Sequence, residues 1–181
     1  MSSAVCVFCS SSLTIDQKYV ELAAEVGTRI GQGGHSLVSG GGRVSMMGAV
    51  AQATRAAGGH TLGVIPQHLV SYEVADDSAD ELVVVDTMRE RKRLMDEASD
   101  CFVILPGGIG TLEEFFEAWT SSSLGMHPKP VIVLDPWDFY QPLWAFIESM
   151  IETGFVRDAA WQGLHRVRTV DEAFALIDAL G

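Results

Sequence analysis

The sequence predicts an α/β fold: a single Rossmann-like domain, with a parallel sheet and helices on both faces. Three observations carry this. Apolar, strand-like runs alternate with amphipathic helical stretches along the whole chain, the pattern of repeated βα units. Runs such as Val131–Leu134 are apolar at every position, as strands covered on both faces are. Two strand-like runs lead directly into glycine-rich turns, at 40–42 and 107–110, and ligands in such sheets bind at that edge. No repeat, linker or low-complexity block divides the 181 residues, so one domain over 1–181 is expected.

Residues 4–9 read as the first strand, ending in Ser10-Ser11-Ser12. Asp16 opens a helix that runs to about Gly31, with Tyr19, Leu22, Ala23, Val26 and Ile30 at helical spacing on one face. Residues 35–39 form the second strand, and the alanine-rich stretch to Ala57 a helix stopped by Gly58-Gly59. The third strand, 61–65, closes at Pro66. Residues 67–80 are polar and acidic, with Glu73, Asp76, Asp77 and Asp80, and read as a surface loop or lid with a short helix. Glu81–Val85 is the fourth strand and 87–99 its helix. The fifth strand, 101–105, precedes a helix on which Leu112, Phe115, Phe116 and Trp119 recur at helical spacing. A sixth strand (130–134), a helix (139–152), a last short strand (165–168) and a helix (171–180) complete the chain.

Composition excludes several partners. Twelve basic against 24 acidic residues give a formal charge of −12, a field that disfavours nucleic acid and anionic membrane. Any phosphate must then be captured locally, by backbone amides and a few placed cations. No apolar run approaches the about 20 residues of a membrane span, and the N-terminal residues lack the basic region of a signal peptide, so a cytoplasmic location is expected. The five histidines have no ligand-like spacing, and no metal is expected. Cys6-Val7-Phe8-Cys9 matches C-x-x-C, but residues three apart on a strand point to opposite faces. These thiols, with Cys101, read as reduced and buried.

The chemistry centres on Pro106-Gly107-Gly108-Ile109-Gly110-Thr111-Leu112-Glu113-Glu114. Strand, glycine turn and helix N-terminus make an anion site, because free N–H groups and the helix dipole face the turn. A competing reading takes Thr111-x-x-Glu114 as a capping box; the preceding glycines favour the anion site. Neither glycine loop matches the dinucleotide or triphosphate fingerprints, so a mononucleotide or sugar phosphate is the expected ligand. On the helix from Thr87, Met88, Arg91, Met95 and Ala98 fall on one stripe. Arg89 and Arg93 suit a solvated face, but Arg91 interrupts an apolar one, and an inward guanidinium needs an anion.

The combination of Gly40-Gly41-Gly42 with Met47-Gly48, Thr87-Met88-x-x-Arg91-Lys92 and Pro106-Gly107-Gly108-x-Gly110-Thr111-x-x-Glu114 closely resembles the Lonely Guy family, over about residues 5–155. The resemblance implies hydrolysis of the N-glycosidic bond of N6-substituted AMP, a cytokinin riboside 5′-monophosphate, to free base and ribose 5-phosphate, with AMP often accepted. It implies a homodimer and no cofactor. It makes Arg91 and Glu114 the catalytic pair and Lys92 a binding or helix-support residue. Gly41, Gly42, Gly107, Gly108, Gly110 and Thr111 become phosphate and ribose contacts, with Met47 and Met88 beside the substrate and Glu113 toward ribose hydroxyls or solvent. Ser45 stands where the family usually has glycine, and is expected to add a hydroxyl contact or narrow the site. Many members are labelled lysine decarboxylases, but a pyridoxal enzyme needs a Schiff-base lysine, and Lys18, Lys92 and Lys129 lack that setting. A broader purine nucleotide nucleosidase, and a non-catalytic nucleotide or cofactor carrier of the same fold, are the alternatives. Trp119, Leu124, Met126 and Trp144 offer apolar area for a dimer interface, and each equally suits the core.

Overall fold

A computed structural model describes residues 2–180. Its strands are β1 (Ala4–Phe8), β2 (Ser36–Ser39), β3 (Thr61–Pro66), β4 (Glu81–Val85), β5 (Cys101–Ile104), β6 (Val131–Leu134) and β7 (Leu164–Val167). They form one sheet in the order β4-β3-β2-β1-β5-β6-β7, and every pairing is parallel. The chain steps outward from β1 to β4, then returns to pair β5 with the other side of β1. The strand order therefore reverses between β1 and β5, where a crevice opens at the strands' C-terminal ends.

The helices are α1 (Gln17–Gln32), α2 (Ser45–Ala56), α3 (Met88–Glu97), α4 (Ile109–Ser123), α5 (Gln141–Glu152), α6 (Asp158–Gln162) and α7 (Val170–Asp178). Strand alternation divides the core in two. Val5 and Val7 of β1 point to the layer of α1, α2 and α7, against Leu22, Val26 and Phe174. Cys6 and Phe8 point to the layer of α3, α4 and α5, against Met95, Phe115 and Ile147. Both faces are covered, which is why the central strands are apolar throughout.

Several boundaries differ from expectation for identifiable reasons. The predicted helix at 139–152 starts at Gln141, because the Asp135 carboxylate accepts from the backbone N–H groups of Trp137, Phe139 and Tyr140. That side chain organises a turn in which Asp138 has φ +58°. Helix α6 was not expected; it is short and contributes no fully buried residue. The 67–80 segment holds a 3-10 turn at Gln67–Leu69 and a π-helical turn at Val70–Val74. Trp119 and Trp144 belong to the core, whereas Leu124 and Met126 are exposed.

Candidate active site

The loops after β1, β2 and β5 enclose a cavity of about 660 Å³ at the point where the strand order reverses. Its floor includes Gly40, Met47 and Arg91, and one wall is the start of α4 from Gly108 to Thr111, with Glu113 and Glu114 beyond. The 67–75 segment contributes Leu69, Tyr72 and Glu73.

Helix α4 begins at Ile109, with Gly108 as a cap residue that offers no side-chain hydrogen bond. The first-turn N–H groups of such a helix have no intrahelical partner. Here they belong to Ile109, Gly110 and Thr111, which line the cavity, so unpaired donors face the space where an anion is expected. The capping-box reading fails: Thr111 lies inside the first turn, buried, and Glu114 falls in the next turn. Gly107 allows this approach, because a Cβ there would come within 2.2 Å of Thr111 Oγ1.

Arg91 is buried, as its place on an apolar stripe predicts. Its Nε donates to Val64 O at 3.1 Å and Nη2 to Gly40 O at 2.9 Å. Nη2 also lies 3.3 Å from Glu73 Oε2. Among the described residues Nη1 has only the Met88 sulfur, at 3.8 Å. Gly40 is required for this arrangement, since a Cβ at that position would stand 1.9 Å from Nη2.

Glu114 is pushed up to about 7: burial raises it, Arg91 opposes, and the neighbouring charges of Glu113 and Glu73 add to the rise. Both its protonation states are therefore populated near neutral pH. Lys92 turns away from the cavity and pairs with Glu113 and Glu117 of α4. Burial pulls Lys92 down, but the two carboxylates outweigh it and hold its proton more firmly than usual. Lys92 thus ties α3 to α4 through two ion pairs.

Of the residues singled out from the sequence, Met47, Met88, Arg91, Gly108, Gly110, Thr111, Glu113 and Glu114 line the cavity; Gly41, Gly42, Ser45, Lys92 and Gly107 do not. Gly41 and Gly42 instead shape the loop over which the 67–75 segment folds, through Asp76 N–H to Gly41 O at 2.8 Å and a bridge from Gly42 to Ala75. Ser45 lies at φ +52° and donates its hydroxyl to Ser12 O at 2.5 Å, facing a neighbouring depression.

Sequence reasoning marked the 40–42 turn but not Gly40 itself as a site residue, and it missed Glu73 and the serines 10–12, all in the lining. The serine run after a strand was a usable signal; Glu73 had none, because its partner is distant in the chain. Cys9, expected to be buried, is half-buried and also lines the cavity. Burial first, then Glu114 and Glu73, raise its proton affinity strongly, so it stays a thiol rather than a nucleophile.

A family model described as "Possible lysine decarboxylase" matches residues 47–178. A Mycobacterium tuberculosis protein named cytokinin riboside 5′-monophosphate phosphoribohydrolase is 51% identical over 169 residues, covering 93% of this chain and 90% of that protein. A Mycobacterium marinum protein of the same name is 47% identical with the same coverage. Among solved structures, the molybdenum cofactor carrier protein from Chlamydomonas reinhardtii aligns with a TM-score of 0.75 at 22% identity, over 99% of this chain and 98% of the other. That last likeness is one of fold.

Proposed function

The chain belongs to the Lonely Guy family, and on that premise we propose that it is a phosphoribohydrolase, splitting N6-substituted AMP into free base and ribose 5-phosphate and accepting AMP as well. One observation carries the reading: a carboxyl poised near neutrality, Glu114, faces the same cavity as buried Arg91 and the open N-terminus of α4.

Each part has a task. The α4 N-terminus receives the 5′-phosphate through backbone N–H groups and the helix dipole. Cleavage of the C1′–N9 bond leaves its electron pair on the purine and positive charge on the ribose. Ionised Glu114 stabilises that cation, attacks it, or takes the proton of the water that adds to C1′. Arg91 holds donors on Nη1 for the leaving base or for Glu114. The description of the matched family model draws no support from the cavity: Lys92 and Lys129 are tied to carboxylates, Lys18 stacks over Tyr19 and Trp137, and none lines the site.

The reading includes one hydrolase domain across the chain and a homodimer. Among the described residues no helix is long and apolar enough to cross a membrane. The test is incubation of the purified protein with isopentenyladenosine 5′-monophosphate, its riboside and AMP, following free base by chromatography. Base should appear from the monophosphates and not the riboside, and Glu114→Gln should lose at least about 100-fold in rate. Nucleotide binding without base release in the wild-type protein would replace this reading with a carrier.

A further inference from the structure

The turn that precedes β4 is fastened over the first glycine loop in a strained form. Val74 has φ +51°, a conformation a β-branched residue rarely adopts. Surrounding contacts hold it there. Arg43 N–H donates to Val74 O at 2.9 Å, Ala75 bridges Gly42, and Asp76 N–H donates to Gly41 O. Asp76 is itself bound by Arg55 at 2.8 Å. The outcome is the placement of Glu73, whose side chain is 13% exposed, against Nη2 of Arg91.

That placement splits the guanidinium. Nε and Nη2 are held by two backbone carbonyls and Glu73, while among the described residues Nη1 meets only the Met88 sulfur. Glu73, Glu113 and Glu114 share the cavity with Arg91, the one cation in its lining among the described residues. Glu113 is paired with Lys92, which leaves Glu73 and the buried Glu114 beside one buried cation, an arrangement that does not favour stability. We propose that Glu73 is a positioning residue for the hydrolysis: its carboxylate, anchored by the strained turn at Val74, fixes the plane of the Arg91 guanidinium and leaves Nη1 alone for the bound nucleotide. This rests on the phosphoribohydrolase reading.

Charge follows from the same geometry. Glu114 is faced by Arg91 and Lys92 from α3, Glu113 from its own helix, Glu73 from the turn, the Cys6 thiol from β1 and the Cys9 thiol from the loop after it. Removing the Glu73 charge deletes one repulsion and frees the attraction of Arg91. Glu114 then gives up its proton at lower pH.

The experiment compares Glu73→Gln and Glu73→Asp with wild type on AMP, recording kcat and KM across the neutral range together with melting temperatures. Glu73→Gln should lower kcat by about 10- to 100-fold through misplacement of Arg91, change KM little, and move the Glu114 limb of the pH profile toward acid. Glu73→Asp keeps the charge, so its limb should stay near that of wild type while kcat falls. An unmoved limb in Glu73→Gln, with or without lost activity, overturns the proposal and leaves a merely structural ion pair. Absence of hydrolysis by wild type would overturn the hydrolase reading and this proposal with it; wild-type hydrolysis with an unmoved limb sinks the proposal alone.

Discussion

Glu114 shows how a single residue sets function against stability. Its carboxyl sits at about 7 in the folded chain, against 4.5 for an unperturbed glutamate, chiefly because it is buried. The folded state therefore binds the proton more tightly than the unfolded one, and stability falls as pH rises from about 4.5 through about 7. Above that window wild type carries the full cost of a buried charge, at most roughly 3 kcal/mol. Glu114→Gln should accordingly melt higher than wild type above about pH 8, with the gap closing below about pH 4.5. Equal melting curves for the two proteins at high pH would contradict the assignment. The same substitution that slows hydrolysis should thus stabilise the chain at high pH. At this scale Arg91 was legible, because a lone cation on an apolar helical stripe has few explanations. Its partners were not. Two of them are backbone carbonyls, and Glu73 lay in an acidic run that reads as solvated surface.

The element scale turns on how helices begin. At α4 the glycines permit the start, and no side chain competes for the first N–H groups. At α2 the start is less comfortable, because Ser45 occupies the left-handed region where the resembling family usually carries glycine. The cost of that backbone, about 1–2 kcal/mol, is offset by the hydroxyl bond to Ser12 O, worth about 1 kcal/mol. Ser45→Ala keeps the strain and loses the bond, so it should destabilise by about 1 kcal/mol, a fall of about 2–4 °C in Tm. Ser45→Gly loses the bond but also the strain, and should stay within about 0.5–1 kcal/mol of wild type. Thermal melts of the pair check this; equal losses in both would show that the backbone at 45 is unstrained. Strand positions and most helices were legible from periodicity, whereas α6 is too short to show a period. The π-helical turn at Val70–Val74 was hidden too, since contacts distant in sequence impose it.

At the scale of the whole molecule, alternation of strands and helices made a parallel sheet legible, and the glycine turns marked the edge that holds the site. The order of the strands was not legible, because nothing local says on which side of β1 the chain returns. Net charge raises a different question. The chain carries −12, and the cavity presents Arg91 against Glu73, Glu113 and Glu114, yet the proposed substrate brings a phosphate dianion. Capture by backbone N–H groups is short-ranged and little affected by salt, whereas repulsion from the distant carboxylates is screened. Raising ionic strength from about 0.01 to 0.15 M shortens the screening length from about 30 to 8 Å. Calorimetry across that range should show AMP binding that tightens with salt and adenosine binding that does not change. The usual cation-built phosphate site behaves in the opposite sense, its affinity falling as salt competes. Should AMP binding weaken with salt, basic groups outside this cavity must complete the phosphate site, and Arg43, beside the lining residue Val44 and in the neighbouring depression, is the first to test.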